Sequence, residues 1–570
     1  MRVQSVYITQ ARKPCSLFIV IAYYPNNTKG CVNITRHNFA MVPKANIART
    51  RFNRSHGLKT TFDAGWLVPI FLDEVLPADT KTLKATFFCR MATLATPLMD
   101  NLYLDTHFFF VPFRLVWDNF QKFMGEQENP GDSIDFLVPT MTSPDGGYEA
   151  QSIYDYLGLP IGVGNLEHSE IPLRCCYLIF NEWFRDENLQ DSLEFSKGDS
   201  ATSGGFHLFR RGKRKDYFTG ALPTPVKFVD GIEIPLSGDA IVYGDGNALQ
   251  MQYGSSNIGT LTSVTLDSRG YGIGITRNSN SISAGTVQSG DYISPSAKTG
   301  LGLATSGQTG LYADLSSVNA ATINSLRMAF QMQRLLEKDN IHGSRYTEVL
   351  RGHFNVISPD ARLQRPEYLG GTSTRFMVNT VEQTSASGSG STPQGNLTGF
   401  AVAGSKIHGF TKSFVEHGYI IGFASVRADL NYQQGLHKLW SRSTRYDFYW
   451  PVLAHLGEQA ILNKEIFAQG TEEDNGVFGY QERWAEYRYK PNQITGKFRS
   501  QYAQSLDVWH LAQDFAELPK LNDEFIEDNP PIDRVIAVQD EPQFLLDAYF
   551  KMYDVRPMPM YSIPGFIDHF

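Results

Sequence analysis

The stretch Leu102-Tyr-Leu-Asp-Thr-His-Phe-Phe-Phe-Val111 decides the fold class that the sequence predicts. Successive side chains of an extended chain point to opposite faces. The first half alternates in this way, and its two faces carry Leu102, Leu104 and Thr106 against Tyr103, Asp105 and His107. The second half is wholly apolar up to Pro112. This pattern is typical of a strand that enters the core of a β-sandwich.

Three further segments are predicted to be strands. They are Ala85 to Leu94, Tyr419 to Leu430 and Phe544 to Val555. In the first, large apolar residues occupy both faces, so we expect both faces to be covered. Because these strands lie near the two ends of the chain, they must pair at long range.

Two segments are predicted to be helices. Ala321 to Lys338 places apolar residues on one stripe and is followed by Gly343, and Pro451 to Ala468 begins with proline and is followed by Gly470. Proline in the first turn and glycine after the last turn are typical helix boundaries. Many strands, few helices and long loops predict an all-β protein, an antiparallel jelly-roll β-sandwich with long loop insertions.

Composition limits the class of protein. The chain has 570 residues, 13% aromatic and 19% charged, with a formal net charge of −8. That charge argues against a surface that coats nucleic acid on all sides, although a one-sided basic face is compatible with it. Five cysteines without a CxxC pair favour assembly in a reducing cytoplasm. The longest apolar run, Cys15 to Tyr24, is about half of a bilayer span, so no membrane insertion is expected.

Between Phe228 and Leu315 the sequence becomes rich in Gly, Ser, Thr and Asn. Ile, Val, Leu and Tyr recur through this tract, which favours short strands and turns over a featureless linker. We interpret residues 228–315 as a surface insertion. Long loops of this kind mark places where a rigid scaffold meets a partner.

The motifs of common enzymes are missing from the sequence. There is no Gly-Lys-Ser/Thr phosphate loop, no Gly-x-Ser-x-Gly and no His-Glu-x-x-His. The acid clusters Glu472 to Asp474 and Asp523 to Asp528 are interpreted as solvated loops, which are also compatible with calcium. We therefore predict no enzymatic activity, no catalytic residues, no cofactor and no metal ligands.

Two basic segments are candidates for contact with DNA. The first interleaves cations with an aromatic ring in a segment without a clear helix or strand pattern: Arg49, Arg51, Phe52, Arg54, His56 and Lys59. Such an arm suits single-stranded nucleic acid, and it equally suits the acids of a neighbouring subunit. The second is the densest cation cluster: Arg210, Arg211, Lys213 and Arg214. A surface patch or an ion-pair network between subunits explains it at least as well.

A third stretch alternates rings and cations. Its candidate residues are Tyr487, Arg488, Tyr489, Lys490 and Arg499. Tyr and Arg are enriched in protein interfaces, so we expect this stretch to contact a second subunit.

Long polar blocks in a fixed order resemble the major capsid protein of the gokushoviruses, within the Microviridae. The blocks include Thr60-Thr-Phe-Asp-Ala-Gly65, Leu67-Val-Pro-Ile-Phe-Leu-Asp-Glu-Val-Leu-Pro77, Asn181-Glu-Trp-Phe-Arg-Asp-Glu-Asn-Leu-Gln190, Ser358-Pro-Asp-Ala-Arg-Leu-Gln-Arg-Pro-Glu-Tyr-Leu-Gly-Gly371 and Gly479-Tyr-Gln-Glu-Arg-Trp-Ala-Glu-Tyr-Arg-Tyr-Lys-Pro491. The resemblance runs from about His37 to the end, apart from the insertion and a Ser/Gly-rich loop.

The resemblance implies a virion protein that assembles in the host cytoplasm into a T=1 icosahedral shell around circular single-stranded DNA. It also implies a small basic DNA-packaging protein, an internal scaffolding protein and a minor capsid or pilot protein as partners. The insertion would project outward and contact a host receptor. The chain would divide into an atypical extension (1–35), a first part of the capsid core (36–227), the protrusion (228–315) and a second part of the core (316–570).

Two other functions stay open on the residues alone. A carbohydrate-binding or glycoside-cleaving β-sandwich would use aromatic platforms and acid pairs. A single-stranded DNA-binding module that works alone would use the basic segments, although the negative net charge opposes this.

Overall fold

Strands dominate the part of the chain that the computed structural model describes: residues 48–225, 323–343, 345–385, 394–405 and 408–561, with five short strands between Ile241 and Asp314. In chain order the strands are β1 (Thr50–Asn53), β2 (His56–Phe62), β3 (Val68–Val75), β4 (Thr80–Met91), β5 (Leu102–Pro112), β6 (Thr140–Thr142), β7 (Glu167–Ser169), β8 (Ile241–Gly244), β9 (Leu249–Tyr253), β10 (Ser256–Leu261), β11 (Leu301–Leu303), β12 (Leu311–Asp314), β13 (Glu367–Arg375), β14 (Met377–Glu382), β15 (Leu397–Gly404), β16 (His408–Ser413), β17 (Gly418–Ala428), β18 (Asn431–Tyr432), β19 (Glu458–Leu462), β20 (Val477–Glu482), β21 (Asn492–Gln493) and β22 (Phe544–Arg556).

Helices in the described ranges are short, apart from α4. They are α1 (Phe120–Phe123), α2 (Ile153–Tyr156), α3 (Ile171–Ile179), α4 (Ile323–His342), α5 (Tyr346–Phe354), α6 (Asn463–Ile466) and α7 (Asp523–Ile526). One π-helical turn covers Phe180–Phe184, and single 3-10 turns lie at Phe113–Leu115, Lys438–Ser441, Arg445–Asp447, Pro451–Leu453, Glu472–Asn475, Ala485–Tyr487, Gly496–Phe498, Asp507–Trp509 and Ile532–Arg534. No helix in the described ranges is long and apolar enough to cross a bilayer.

Two antiparallel sheets form the scaffold, which confirms the predicted β-sandwich. The first sheet has the order β1-β22-β4-β15-β14, with β2 also paired to β22 and β16 also paired to β4. The second has the order β13-β5-β17-β3. Strand β22 pairs with β4 from Phe544 opposite Met91 to Val555 opposite Thr80, so the predicted pairing between the two ends of the chain is confirmed.

Strand β5 enters the core of the sandwich, as its sequence predicts, and both of its faces are covered. Phe108 and Phe110 pack into the core between the two sheets. Phe109 and Val111 point to the opposite side, where α3 and its neighbours form a second apolar cluster. The apolar half of the strand is therefore buried from two directions.

Strand β4 differs from the prediction. It begins five residues earlier than expected, and only one of its faces is covered. Phe87 and Cys89 are buried between the sheets, whereas Phe88 is 53% exposed and Arg90 is also exposed. The expectation of two covered faces was wrong because no described element packs on the outer side of the first sheet.

The helix predicted from Ala321 is confirmed as α4, and Gly343 follows it with φ +95° as a C-terminal glycine does. The helix predicted for Pro451 to Ala468 is wrong. That segment holds a 3-10 turn, strand β19 and the one-turn helix α6. Gly457 adopts φ +86°, which interrupts a helix, and the residues after it pair with β20.

The insertion contains short strands, as its β-branched residues predict. Strands β9, β10 and β11 form one small sheet, and β8 and β12 form another. The rest of residues 228–315 and the extension before residue 48 lie outside the described residues.

A buried network of ion pairs lies at one end of the sandwich. The Lys81 amine is fully buried and contacts the carboxylates of Asp73, Asp554 and, at 3.9 Å, Asp79. The Arg54 Nη1 lies 2.7 Å from Asp73 and 2.9 Å from Asp554. Burial alone would lower the Arg54 pKa, but these two carboxylates outweigh it and raise the pKa.

A second guanidinium completes the network, because the Nε of Arg556 lies 3.1 Å from Asp79. Three carboxylates thus meet three cations, so the network is neutral as a whole. It joins the end of β1 to β3, β4 and β22.

We predict that Lys81→Met destabilises the subunit by about 3–5 kcal/mol, because three buried carboxylates would keep only two arginines. Urea denaturation of the unassembled subunit measures the loss. Lys84→Met is the matched control, since Lys84 lies on the same strand and is exposed. Equal midpoints for the two variants would contradict the importance of the network.

Candidate subunit-contact and nucleic-acid surfaces

The basic arm is part of the first sheet. Residues Arg49 to Lys59 were expected to lack a strand pattern, and this was wrong: β1 and β2 both pair antiparallel with β22. Arg51 and Lys59 point to the outer side of the sheet and are exposed. Arg51 lies over the Tyr553 ring at 4.1 Å, and the Lys59 amine is 2.9 Å from Asp547.

The other candidates of the arm serve the subunit itself. Arg49 donates to the Thr80 hydroxyl at 2.7 Å, and Arg54 belongs to the buried ion network. Phe52 is half-buried opposite Asp554, on the inner side of β1. The His56 ring lies 5.3 Å from Phe550. Of the six arm residues, Arg51 and Lys59 therefore present their charges to solvent most directly.

The second basic cluster forms a connector that crosses the second sheet. The Arg211 amide donates to the Gly65 carbonyl at 2.7 Å, and the Lys213 amide donates to the Ile526 carbonyl at 2.6 Å. Gly65 is required here, because its φ is +78° and an added Cβ would lie 1.8 Å from the Asp528 carbonyl. The connector is thus held between two segments that are distant in sequence.

Two cations of the connector are nearly buried. The Arg211 side chain is 11% exposed, and its Nη1 donates to Asp105 at 3.2 Å and to Ser425 at 2.9 Å. Arg427 reaches the same Asp105 oxygen at 2.6 Å. The Lys213 amine donates to the Phe525 carbonyl at 2.6 Å.

The outer members of the cluster are also engaged. Arg210 lies over the Trp66 ring at 4.2 Å, and Arg214 lies over the Tyr103 ring at 4.0 Å and 3.7 Å from Asp429. A role in DNA binding stays a prediction for these four residues. The contacts of Arg211 and Lys213 show that those two stabilise the subunit.

The charges of Arg211 and Arg427 influence the pKa values of Asp105 and His107. Burial would raise the pKa of Asp105, but Arg211 and Arg427 together lower it. Burial, assisted by Arg211, lowers the pKa of His107 to about 3. Burial and Arg427 also lower the pKa of Arg211 to about 9. His107 is therefore neutral in the folded subunit at physiological pH.

An exposed cluster of rings surrounds the predicted interface residue Tyr487. We call it the aromatic surface, and its members are Trp440, Tyr446, Phe448, Tyr449, Trp450 and Tyr487. Trp440 is 74% exposed, and the others are about half exposed. The Tyr449 and Tyr487 rings lie 6.4 Å apart, and Arg442 lies over the Tyr487 ring at 4.4 Å. Phe448, Tyr449 and Tyr487 therefore lie together around Arg442, and the other three exposed rings lie in the same stretch of chain.

The remaining interface candidates lie near the aromatic surface in sequence. Arg488 pairs with Glu482, while Tyr489 and Lys490 are exposed. Arg499 is half-buried and donates to the Gln433 carbonyl at 3.0 Å. Their role as subunit contacts stays a prediction.

Sequence reasoning missed the larger part of the aromatic surface. The run Arg445-Tyr-Asp-Phe-Tyr-Trp450 carries the same mixture of rings and arginine that singled out Tyr487. The composition that predicts an interface at Tyr487 therefore predicts one at this run as well.

The acid clusters show no metal centre in the described ranges, where no group of three or more His, Cys, Asp or Glu could hold an ion. Asp474 accepts hydrogen bonds from the amides of Gln469 and Gly470, at 2.9 and 2.7 Å. Asp528 is buried, and burial raises its pKa to about 7 despite four nearby cations. Within the described chain, Asp474 accepts hydrogen bonds from its own loop, and Asp528 lies beside the cations of the connector.

A two-sheet scaffold with long loops and exposed rings is compatible with the class of proteins that build shells from many copies, and the relatives of this chain belong to that class. The family described as Capsid protein (F protein) matches residues 40–566. Capsid protein VP1 of Bdellovibrio phage phiMH2K is 48% identical over 551 residues, which cover 94% of this chain and 98% of the relative. Capsid protein VP1 of Chlamydia phage 1 is 45% identical, and that of Spiroplasma virus 4 is 34% identical, each with the same coverage.

The chain belongs to this phage capsid protein family. It is a structural protein of the virion and not an enzyme, which confirms the resemblance to the gokushovirus major capsid protein. The glycosidase alternative is thereby set aside.

We predict that His107→Gln makes the unassembled subunit less sensitive to acid. The wild-type pKa is about 3 in the folded state and about 6.5 in the unfolded state. Between these values only the unfolded chain binds the proton, so this group costs stability as pH falls from 6.5, about 2 kcal/mol by pH 5. Urea midpoints of both proteins at pH 7 and pH 5 provide the measurement. Equal losses in both proteins would show that His107 carries no such penalty.

Proposed function

We propose that the chain assembles into a T=1 icosahedral shell that encloses a circular single-stranded DNA genome. The observation that carries this proposal is the aromatic surface, an apolar patch on a subunit of a capsid family. Monomeric soluble proteins rarely expose contiguous apolar patches of this kind, and such patches mark interaction sites. Self-association of many copies covers the patch and explains why it exists.

The chemistry of the aromatic surface fits a protein partner. Trp, Tyr and Arg dominate the binding energy of protein interfaces. Arg442 lies between the Phe448 and Tyr487 rings, at 5.3 and 4.4 Å, and its charge is balanced by Glu486 at 3.2 Å. The Phe448 and Tyr487 rings therefore lie beside a balanced ion pair, and this arrangement suits a second copy of this chain.

Helix α4 offers a second apolar surface. Met328, Phe330, Met332 and Leu335 are all at least about half exposed. This helix directly follows the insertion, so a contact between copies at this place would support the base of the protrusion.

The insertion at 228–315 serves as the outward protrusion and takes part in attachment to the host receptor. Its strands pair only with one another among the described strands. A change within the insertion therefore leaves the hydrogen bonds of the two large sheets intact. The genome lies inside, and the small basic packaging protein, the internal scaffolding protein and the minor capsid or pilot protein are the partners in assembly.

We predict that Trp440→Ser combined with Tyr446→Ser lowers the yield of particles at least tenfold, because the double variant loses two exposed rings of the aromatic surface. Stability of the unassembled subunit should change little, since both rings are exposed. Negative-stain electron microscopy and sedimentation measure assembly, and Val415→Ser, at an exposed valine elsewhere, is the control. Normal particles from the double variant would refute this contact.

We predict that replacing residues 262–300 by a flexible linker of about eight residues spares assembly and reduces attachment to host cells. The flanking strands β10 and β11 both pair with β9, and such a linker reaches roughly 26 Å, enough to join them. Particle yield and cell-bound fraction are the two readouts. Failure to form particles would instead show that the insertion holds neighbouring subunits together.

A further inference from the structure

The outer side of the first sheet carries exposed rings and cations. We call this the open sheet face. Its outward residues on β2, β4 and β22 include Lys59, Lys84, Phe88, Arg90, Leu545, Asp547, Tyr549 and Lys551, and Arg51 extends it on β1. All of these side chains are exposed.

Strand register places the charges side by side. Lys84 lies directly opposite Lys551, and Arg90 lies opposite Leu545. Like charges directly opposite each other destabilise a sheet. The Lys84–Lys551 pair therefore costs the free subunit stability, and a bound anion would remove that cost.

The open sheet face has an excess of positive charge. Its cations are Arg51, Lys59, Lys84, Arg90 and Lys551, while Asp547 is the one acid at an outward position of β2, β4 or β22. Asp547 already pairs with Lys59 at 2.9 Å. Within the described chain, Lys84, Arg90 and Lys551 have no carboxylate within ion-pair distance. This is opposite in sign to the chain as a whole, whose formal net charge is −8.

Exposed rings lie between the cations on both β4 and β22. Phe88 and Tyr549 are each 53% exposed, and Tyr553 lies beneath Arg51. Exposed rings on a basic surface bind single-stranded nucleic acid, because bases stack on the rings while phosphates contact the cations. From Thr82 to Arg90 the face extends along β4 for roughly 27 Å, long enough for several nucleotides.

A second protein subunit is a poorer match for this face. Lys is depleted in protein interfaces, and three of the five cations are lysines. The aromatic surface differs in this respect, since the cations that lie over its rings, Arg442 and Arg445, are arginines. The two exposed surfaces therefore suit different partners.

We propose that the open sheet face binds the phosphodiester chain of single-stranded DNA. Phe88 and Tyr549 stack on bases, and Lys84, Arg90 and Lys551 contact phosphates. This inference rests on the proposed function, and it moves the DNA-binding site from the arm and the connector to three strands of the sheet. Arg51 and Lys59 remain part of the site, whereas Arg54, Arg211 and Lys213 do not.

The direct test measures binding of a fluorescent oligodeoxythymidine to the unassembled full chain at several salt concentrations. The triple variant Lys84→Gln, Arg90→Gln, Lys551→Gln should bind at least tenfold more weakly at low salt. Its plot of log affinity against log salt should be shallower by about 2, at roughly 0.7 for each lost phosphate contact. The control carries Lys122→Gln, Lys197→Gln and Lys520→Gln, which remove the same charge from other exposed sites, and should bind like the wild type.

Stacking is tested separately with Phe88→Ala and Tyr549→Ala. Each should weaken binding about tenfold without changing the salt slope. Unchanged affinity in the triple variant and in both ring variants would overturn the inference. So would a triple variant that folds and binds DNA normally but fails to assemble, because the face would then be a subunit contact.

Particles distinguish this inference from the proposed function. If wild-type particles protect single-stranded DNA from nuclease and triple-variant particles protect much less, both stand. Equal protection in both kinds of particle overturns the inference alone. Wild-type particles that protect no DNA overturn the proposed function itself.

Discussion

The fold depends on the pairing of the last strand with the first ones. Strand β22 lies between β4 on one side and β1 and β2 on the other, so the paired residues are between 453 and 506 positions apart in sequence. Closing such a long loop costs only slightly more entropy than closing a shorter one. The intervening chain is therefore free to carry loops and an insertion, provided that both ends keep their register. The alternation of buried and exposed residues fixes that register, because a shift by one residue would turn the apolar side of β22 outward.

Cations in this subunit fall into two groups that the sequence alone does not separate. Lys81, Arg54 and Arg556 balance buried carboxylates at the end of β22, and Arg211 and Arg427 share Asp105 on the second sheet. These charges hold the chain together. Lys84, Arg90 and Lys551 lie on neighbouring strands, have no carboxylate partner among the described residues, and remain available to an external anion. The difference between Lys81 and Lys84 is only their side of the same strand.

Short-range sequence patterns correctly predicted several strands and one helix. The alternation in β5, the glycine after α4 and the β-branched residues of the insertion all led to correct elements. The predictions were wrong where contacts between distant parts of the chain determine the structure. Pro451 to Ala468 has helix-like boundaries, yet pairing with β20 overrides them. The outer face of β4 contains phenylalanine, so its apolar character suggested burial, although no described element covers it. The open sheet face could not be found by inspecting one segment, because its residues come from strands at opposite ends of the chain.

The central claim is that this subunit builds a closed shell whose interior holds single-stranded DNA. An electron cryomicroscopy reconstruction of particles from the expressed chain tests it most directly. The account predicts a T=1 shell in which the aromatic surface is buried between neighbouring copies and the open sheet face lines the interior against nucleic-acid density. A chain that stays monomeric under assembly conditions, or a shell whose open sheet face lies on the outside, would contradict it.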